Sequence, residues 1–359
     1  MKIRTKPWGI SGGKNAPTLS VALATILAAI LAVAPASCRS DAPGGRLAET
    51  VVIGAGGEWE LNGLLTIPAA ASATSPVPAV VLVHGSGPAD MDLTVGENRP
   101  FLDIAEHLSA NGIAALRYDK RTFVHGQRMV EVLGGELTVW EETMEDAILA
   151  ADLLRADPRV DPGRVFMLGI SMGGMLAPRI QVESGAFDGL ILMAATPRLL
   201  TDIMLEQFRT QADLTMEDGP GKDLQLVQLD TLAGAFNSIP DMGVEESKTV
   251  PVMGSIAAFY FKDMALHPFA DQVPYLDVPV LVMQGGRDFQ VLADVDFPMI
   301  VALFSGRDNA EFRLYEDLNH LFMPSSATNF VEHAGEIMGG GGTVDGRALA
   351  DITDWILAR

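Results

Sequence analysis

Apolar residues along this chain fall into two registers. Short, nearly unbroken apolar runs at 79–83, 113–118, 165–170, 189–194 and 278–284 have the length and β-branched content of buried strands. A final strand reads over 311–315, and 49–53 with 58–67 reads as an opening antiparallel pair joined through Gly54 to Gly57. Between these runs the spacing turns helical. Phe101, Ile104, Ala105 and Leu108 mark a helix over 101–110 that closes at Asn111-Gly112. Trp140, Met144, Ala147, Ile148, Ala151 and Leu154 form one stripe of a helix over 138–155, stopped by Asp157-Pro158. Further helices are predicted over 172–182 and 345–357.

This alternation predicts an α/β fold, a mostly parallel sheet with helices on both faces. One stretch, 198–275, carries no strand pattern and is broken at Asp218-Gly219-Pro220, Ile239-Pro240 and Val250-Pro251. It is too long for a structureless loop. The expectation is a helical cap inserted into a core made of 47–197 and 276–359.

The first 40 residues read as an export signal: Lys2, Arg4, Lys6 and Lys14, then an apolar run over 19–34, then small residues. Cleavage after Ala34-Pro35-Ala36 would leave Ser37 at the new N-terminus. Lipidation of Cys38 is the competing outcome, and a retained anchor is disfavoured because the run falls short of the ~20 residues a span needs. Either preferred outcome places the protein outside the cytoplasm, periplasmic or extracellular, with no membrane partner beyond a lipid anchor at Cys38. The formal charge of −21 repels phosphate backbones and argues against nucleic acid as a partner. With one cysteine there is neither an internal disulfide nor a thiolate metal cluster. No His/Cys ligand spacing, Walker pattern or G-x-G-x-x-G appears, so no metal and no cofactor is expected.

The sharpest chemical signal is Gly169-Ile170-Ser171-Met172-Gly173-Gly174, lying between a strand and a helix. That context makes G-x-S-x-G a nucleophile turn, with small neighbours where backbones approach closely. Serine needs a base. In sheets carrying this turn the order is Ser, acid, His. His320, in the loop after 311–315, fits the base, ahead of His84, His107, His125, His267 and His333. His107 and His333 read as ordinary surface or half-buried histidines, while His125 could line the site mouth. Asp288, just past 278–284, fits the acid, with Asp294, Asp296 and Asp317 as rivals. Oxyanion donors are expected from the backbone N–H of Met172 and, after the first buried strand, of Ser86, with Gly85 not excluded. Arg117-Tyr118-Asp119-Lys120-Arg121 ends a central strand; the expectation is an Asp119 ion pair bracing the oxyanion loop, against a substrate contact by Lys120 or Arg121.

These motifs resemble α/β-hydrolase fold esterases, the exported carboxylesterase-like branch related to serine aminopeptidase-type hydrolases. The resemblance is carried by His84-Gly85-Ser86-Gly87-Pro88, Arg99-Pro100-Phe101, the 117–121 run, Gly169 to Gly174, Leu176-Ala177-Pro178-Arg179-Ile180, Gln284 to Asp288, and Asn319-His320. It implies an α/β-hydrolase fold, a Ser171–Asp288–His320 triad and a small-molecule ester or related acyl substrate. Ile170 departs from it, since many relatives carry His there. An amidase, peptidase or thioesterase on the same triad stays open, as does a non-catalytic exported binding protein. The cap glutamates Glu206, Glu217, Glu245 and Glu246 leave room for an amine-binding pocket.

Overall fold

The five buried runs become the middle of one eight-stranded sheet in the computed structural model, which describes residues 45–359. The expected export signal and Cys38 lie outside the described residues. The sheet strands are β1 (Arg46–Ile53), β2 (Leu61–Pro68), β3 (Val77–Val83), β4 (Ala114–Tyr118), β5 (Val160–Ile170), β6 (Gly189–Met193), β7 (Val280–Gly285) and β8 (Ala310–Tyr315). Their order is β1-β2-β4-β3-β5-β6-β7-β8. β2 runs antiparallel to both neighbours and every other pairing is parallel. Parallel strands need crossovers, and crossovers bring helices onto both faces, which is why the runs 79–83, 165–170 and 189–193 at the middle of the sheet are apolar without alternation.

One face is covered by α1 (Pro100–Ala110) and α12 (Gly346–Leu357). Phe101, Ile104 and Leu108 meet Ile352, Trp355 and Ile356 over Val80, Leu82, Phe166 and Leu168 in a single buried cluster. α2 (Arg121–Leu133) follows β4. α3 (Glu145–Ala156) and α4 (Met172–Ser184) pack on β3, β5 and β6 from the other face. The segment between β6 and β7 is helical: α5 (Leu200–Thr215), α6 (Pro220–Ser238), α7 (Val244–Thr249), α8 (Ala258–Leu266) and α9 (Phe269–Gln272). A two-stranded hairpin, Pro251–Met253 with Ile256–Ala257, interrupts them. Phe208, Phe236, Tyr260, Phe261, Met264 and Phe269 of this insertion are buried. α10 (Asp296–Leu303) and α11 (Phe330–Gly339) complete the described residues.

Four elements differ from expectation, and the hairpin is the first, since the insertion was expected to hold helices alone; its strands of three and two residues are too short to show a pattern. The helix expected over 138–155 opens with a single π-helical turn at Trp140–Met144, and α3 begins only at Glu145. A π turn inserts one residue into a helix; Glu142 lies at the centre of this one and is 7% exposed. α2 was invisible because only Arg121 and Met129 of its residues are buried, leaving no apolar stripe. α11 was invisible because its buried stripe is short and polar at its centre: Phe330, His333 and Ile337.

Strand order places the reaction site. From β3 the chain crosses to β4 on one side, whereas β5 joins β3 on the other and leads away to β6. The chain order thus reverses about β3, and the carboxyl edge at such a reversal is the place where open α/β sheets bind ligands. Register aligns the exits: Val83 pairs with Gly169, Ile170 with Met193, Met193 with Met283, and Gly285 with Tyr315. Ser171, Asp288 and His320 all leave the sheet at this one edge.

Candidate active site

Ser171 is the single residue between β5 and α4. Its φ of 56° and ψ of −120° lie outside the regions L-residues favour. Two backbone hydrogen bonds hold this conformation: Ser171 N–H donates to the Met193 carbonyl at 2.9 Å, and Met175 N–H donates to the Ser171 carbonyl at 2.9 Å. Close approach explains the flanking glycines. A Cβ at Gly169 would lie 2.4 Å from the Gly173 carbonyl carbon, and one at Gly173 would lie 2.4 Å from the Val83 oxygen. The turn thus nests against the end of β3, and the loop after β3 comes with it. A Cβ at Gly85 would sit 3.1 Å from the Ser171 Cβ and 3.6 Å from its Oγ. The first N–H groups of α4, Met172 among them, carry the positive end of the helix dipole at the serine.

Asp288 and His320 meet directly. His320 Nδ1 stands 2.7 Å from Asp288 Oδ2. The loops that carry them are stitched through the backbone, with Gly286 N–H donating to Tyr315 O at 2.7 Å and Arg287 N–H to Leu318 O at 2.8 Å. Asn319 shapes the His320 turn by accepting the N–H groups of Leu321 and Met323 at 3.0 and 3.1 Å. Asp288 is saturated: its Oδ1 accepts from Gln290 and Val291 N–H at 2.8 and 3.0 Å, and Gln284 Nε2 donates to Oδ2 at 3.2 Å. Burial by itself raises this carboxyl, but the His320 contact and the Val291 N–H outweigh it and hold it below the usual aspartate range. Such an acid stays ionised, presents an acceptor to Nδ1–H and leaves Nε2 as the basic nitrogen.

The rival acids are engaged elsewhere. Asp296 is fully buried and accepts from Thr196 Oγ1, Leu292 N–H and Arg198 at 2.6 to 2.9 Å. Asp317 is exposed and pairs with Arg347 at 2.9 Å. Asp294 is exposed in a turn just before α10.

The other histidines sort the same way. His84 is buried between Phe101 and Tyr118, with Nε2 2.9 Å from the Asp90 carbonyl. Burial, and then the Lys120 charge, push its imidazole down to about 3. His107 is half-buried on α1. His125 does not stand at the site: it packs edge-on against Trp59 and bonds the Glu60 carbonyl at 2.9 Å, beside the β1–β2 turn. His333 also differs from expectation. It is 1% exposed, packs against Phe289, and lies 3.3 Å from Gln290 Nε2, immediately behind the acid loop.

The 117–121 run braces the loop after β3, by different bonds from those expected. Arg117 pairs with Asp92, Asp119 accepts the Met91 N–H at 2.9 Å, and Lys120 donates to the Gly85 carbonyl at 2.8 Å. Asp119 thus braces the loop through a backbone N–H and not through an arginine or lysine. Lys120 also pairs with Glu142 at 2.5 Å, and Glu142 accepts from Tyr260 Oη at 2.6 Å. Glu142 was not legible as a partner of this run, and Tyr260 stood out only as one of the cap's apolar and aromatic residues. The one signal for Glu142 was an acid just after the first position of a predicted apolar stripe.

Comparison with known proteins agrees with this fold. Residues 80–333 match the Alpha/beta hydrolase family. Esterase EstD of Thermotoga maritima is 36% identical over 302 residues, covering 83% of this chain and 65% of its own length, so the chain spans just under two thirds of that relative. Among solved structures, Est1E from Butyrivibrio proteoclasticus superposes with a TM-score of 0.50 at 17% identity, over 86% of this chain and 99% of that one. Dipeptidyl peptidase 4 of Porphyromonas gingivalis does so at 0.52 and 13% identity, over 88% of this chain and 36% of that one. At such identities these two share the fold alone.

Proposed function

Because the chain belongs to the alpha/beta hydrolase family, we propose that it is a serine esterase that cleaves small-molecule carboxylic esters through an acyl-enzyme. Ser171 Oγ attacks the ester carbonyl carbon while His320 Nε2 takes its proton. The carbonyl electrons move onto oxygen, which the Met172 and Ser86 N–H groups hold. Collapse breaks the bond to the alcohol, which leaves with the proton from His320. Water then attacks the acyl-serine by the same route in reverse, releasing the acid and restoring Ser171. Asp288 orients His320 and stabilises its charged form.

The observation that carries this reading is the 2.7 Å Asp288–His320 contact at the sheet edge from which the strained Ser171 also emerges. An ester is favoured over a free-amine substrate because three of the insertion's four glutamates are already engaged. Glu206 pairs with Arg198, Glu245 with Lys248, and Glu246 accepts the Gly243 N–H. The insertion acts as a cap, and the leader 1–40 directs the enzyme out of the cytoplasm.

The test is a p-nitrophenyl ester panel from acetate to palmitate beside Ser171→Ala. The expected result is turnover with a chain-length optimum, lost by about 10³-fold or more in kcat in the variant. Undiminished turnover by Ser171→Ala would remove the proposal. Labelling of Ser171 by a fluorophosphonate without turnover of any ester would keep the nucleophile and move the substrate to amides.

A further inference from the structure

Lys120 is 1% exposed, an unusual place for an ammonium group. Its Nζ is held by two acceptors, the Gly85 carbonyl at 2.8 Å and Glu142 Oε1 at 2.5 Å. Glu142 reaches it from the centre of the π turn. Its second oxygen accepts from Tyr260 Oη at 2.6 Å, and that hydroxyl lies 3.8 Å from Met172 Sδ. Tyr260 belongs to α8 of the insertion. A continuous polar path therefore runs from the insertion through Glu142 and Lys120 to the loop seated on Ser171.

A buried ion pair costs desolvation and does not by itself stabilise a fold, so it calls for another reason. The peptide unit it touches supplies one. The Gly85 carbonyl and the Ser86 N–H belong to the same peptide group, which is planar and trans. Holding the carbonyl from one side fixes the N–H to point the opposite way. A hydrogen bond from a cation to that carbonyl also polarises the unit and strengthens its N–H as a donor.

Resting on the esterase reading above, we propose that Lys120 is a positioning residue that aims and polarises the Ser86 N–H for the oxyanion formed at Ser171. Glu142 and Tyr260 hold Lys120 in place, so the oxyanion hole is complete only with the insertion seated. Lys120 touches no reacting atom. It acts through the Gly85–Ser86 peptide.

The experiment compares p-nitrophenyl acetate with its thiono counterpart, in which sulfur replaces the carbonyl oxygen. Sulfur is a weak acceptor, so aimed N–H donors favour the oxo ester in the transition state. Wild type, Lys120→Met, Glu142→Gln and Tyr260→Phe are measured with Ser171→Ala as reference. In Lys120→Met the expected result is a fall in kcat of about 10- to 100-fold, with KM within about threefold. The oxo-over-thiono preference shrinks with it. Tyr260→Phe, which deletes one hydroxyl, moves both readouts the same way by a smaller factor; with Glu142→Gln it carries the comparison if Lys120→Met does not fold. An unchanged oxo-over-thiono preference in the folded variants, with Ser171→Ala inactive, overturns the inference and leaves the esterase reading standing. Wild-type turnover by Ser171→Ala overturns the reading beneath it.

Discussion

Single residues decide the acid–base character of the site, and they do so by position in a low-dielectric interior. Asp288 and His333 lie within one loop's reach of each other and are driven to opposite outcomes. Asp288, saturated by donors, stays charged, whereas burial pushes the His333 imidazole down to about 4 and keeps it neutral. A neutral His333 behind the acid loop adds no charge to compete with His320 for Asp288. The cost appears in stability. In the unfolded chain a histidine titrates near ~6.5. As pH falls below that value the unfolded state takes up a proton that folded His333 refuses until about pH 4. Stability therefore drops across this window, by on the order of 3 kcal/mol for such a shift. Carboxylates held low, Asp288 and Glu49 among them, add their losses only below about pH 4.5. Urea midpoints between pH 6.5 and 5 carry the contributions of both buried histidines, His84 and His333, partly offset by Asp146, whose carboxyl burial raises to about 6, and His333→Gln should make that slope measurably shallower. An identical slope in the variant would assign the drop elsewhere.

At the scale of elements, α11 and α12 begin where a side chain, Asn329 or Asp345, accepts their free N–H groups. α12 is the clearest case. Asp345 precedes it with extended backbone, accepts the Arg347 N–H at 2.8 Å and pairs with the Arg347 guanidinium. Asp345→Ala should lower stability by about 1 kcal/mol, read as a fall in thermal midpoint with activity retained. A loss of activity with an unchanged midpoint would contradict a purely structural cap. α4 is the opposite case. Ser171 makes no side-chain cap there, and the helix start lies directly behind the Ser171 turn. The π turn before α3 is a similar departure from regular helix, and it exists where Glu142 has to face Lys120.

Across the whole molecule, the insertion is tied to the sheet by buried charge. Where the chain leaves β6 for α5, Arg198 bonds Asp296, which is fully buried on the core side, and also Glu206 within α5. On α4, Arg179 reaches Asp263 of α8 at 2.6 Å. Removing one partner of such a pair strands the other. Arg198→Ala should cost about 3–5 kcal/mol, seen as a large drop in the denaturant midpoint. The double variant Arg198→Ala/Asp296→Asn should recover a substantial part, because the stranded charge is gone. Additive losses in the double variant would show that Arg198 acts through packing alone.

What the chain could declare by itself were the features written in neighbouring residues. The apolar runs of β3, β4, β5, β6 and β7, the stripe of α1, and the small residues around Ser171 are local patterns set by backbone geometry and sterics, so they are legible in order along the sequence. His320 and Asp288 were legible because a parallel sheet sends successive strand ends to one edge, which turns chain order into spatial order. Tertiary structure decided what depends on partners far apart in sequence. His333 looked like a surface residue until α11 folded behind Asp288, and His125 moved to the β1–β2 turn because Trp59 and Glu60 wait there. The Lys120–Glu142–Tyr260 path joins three separate elements, and no periodicity records it. Hydrogen bonds and ion pairs are specific to two or three atoms and indifferent to sequence distance, whereas hydrophobic patterning is repeated along the chain. Only the folded chain brings those atoms within reach of one another.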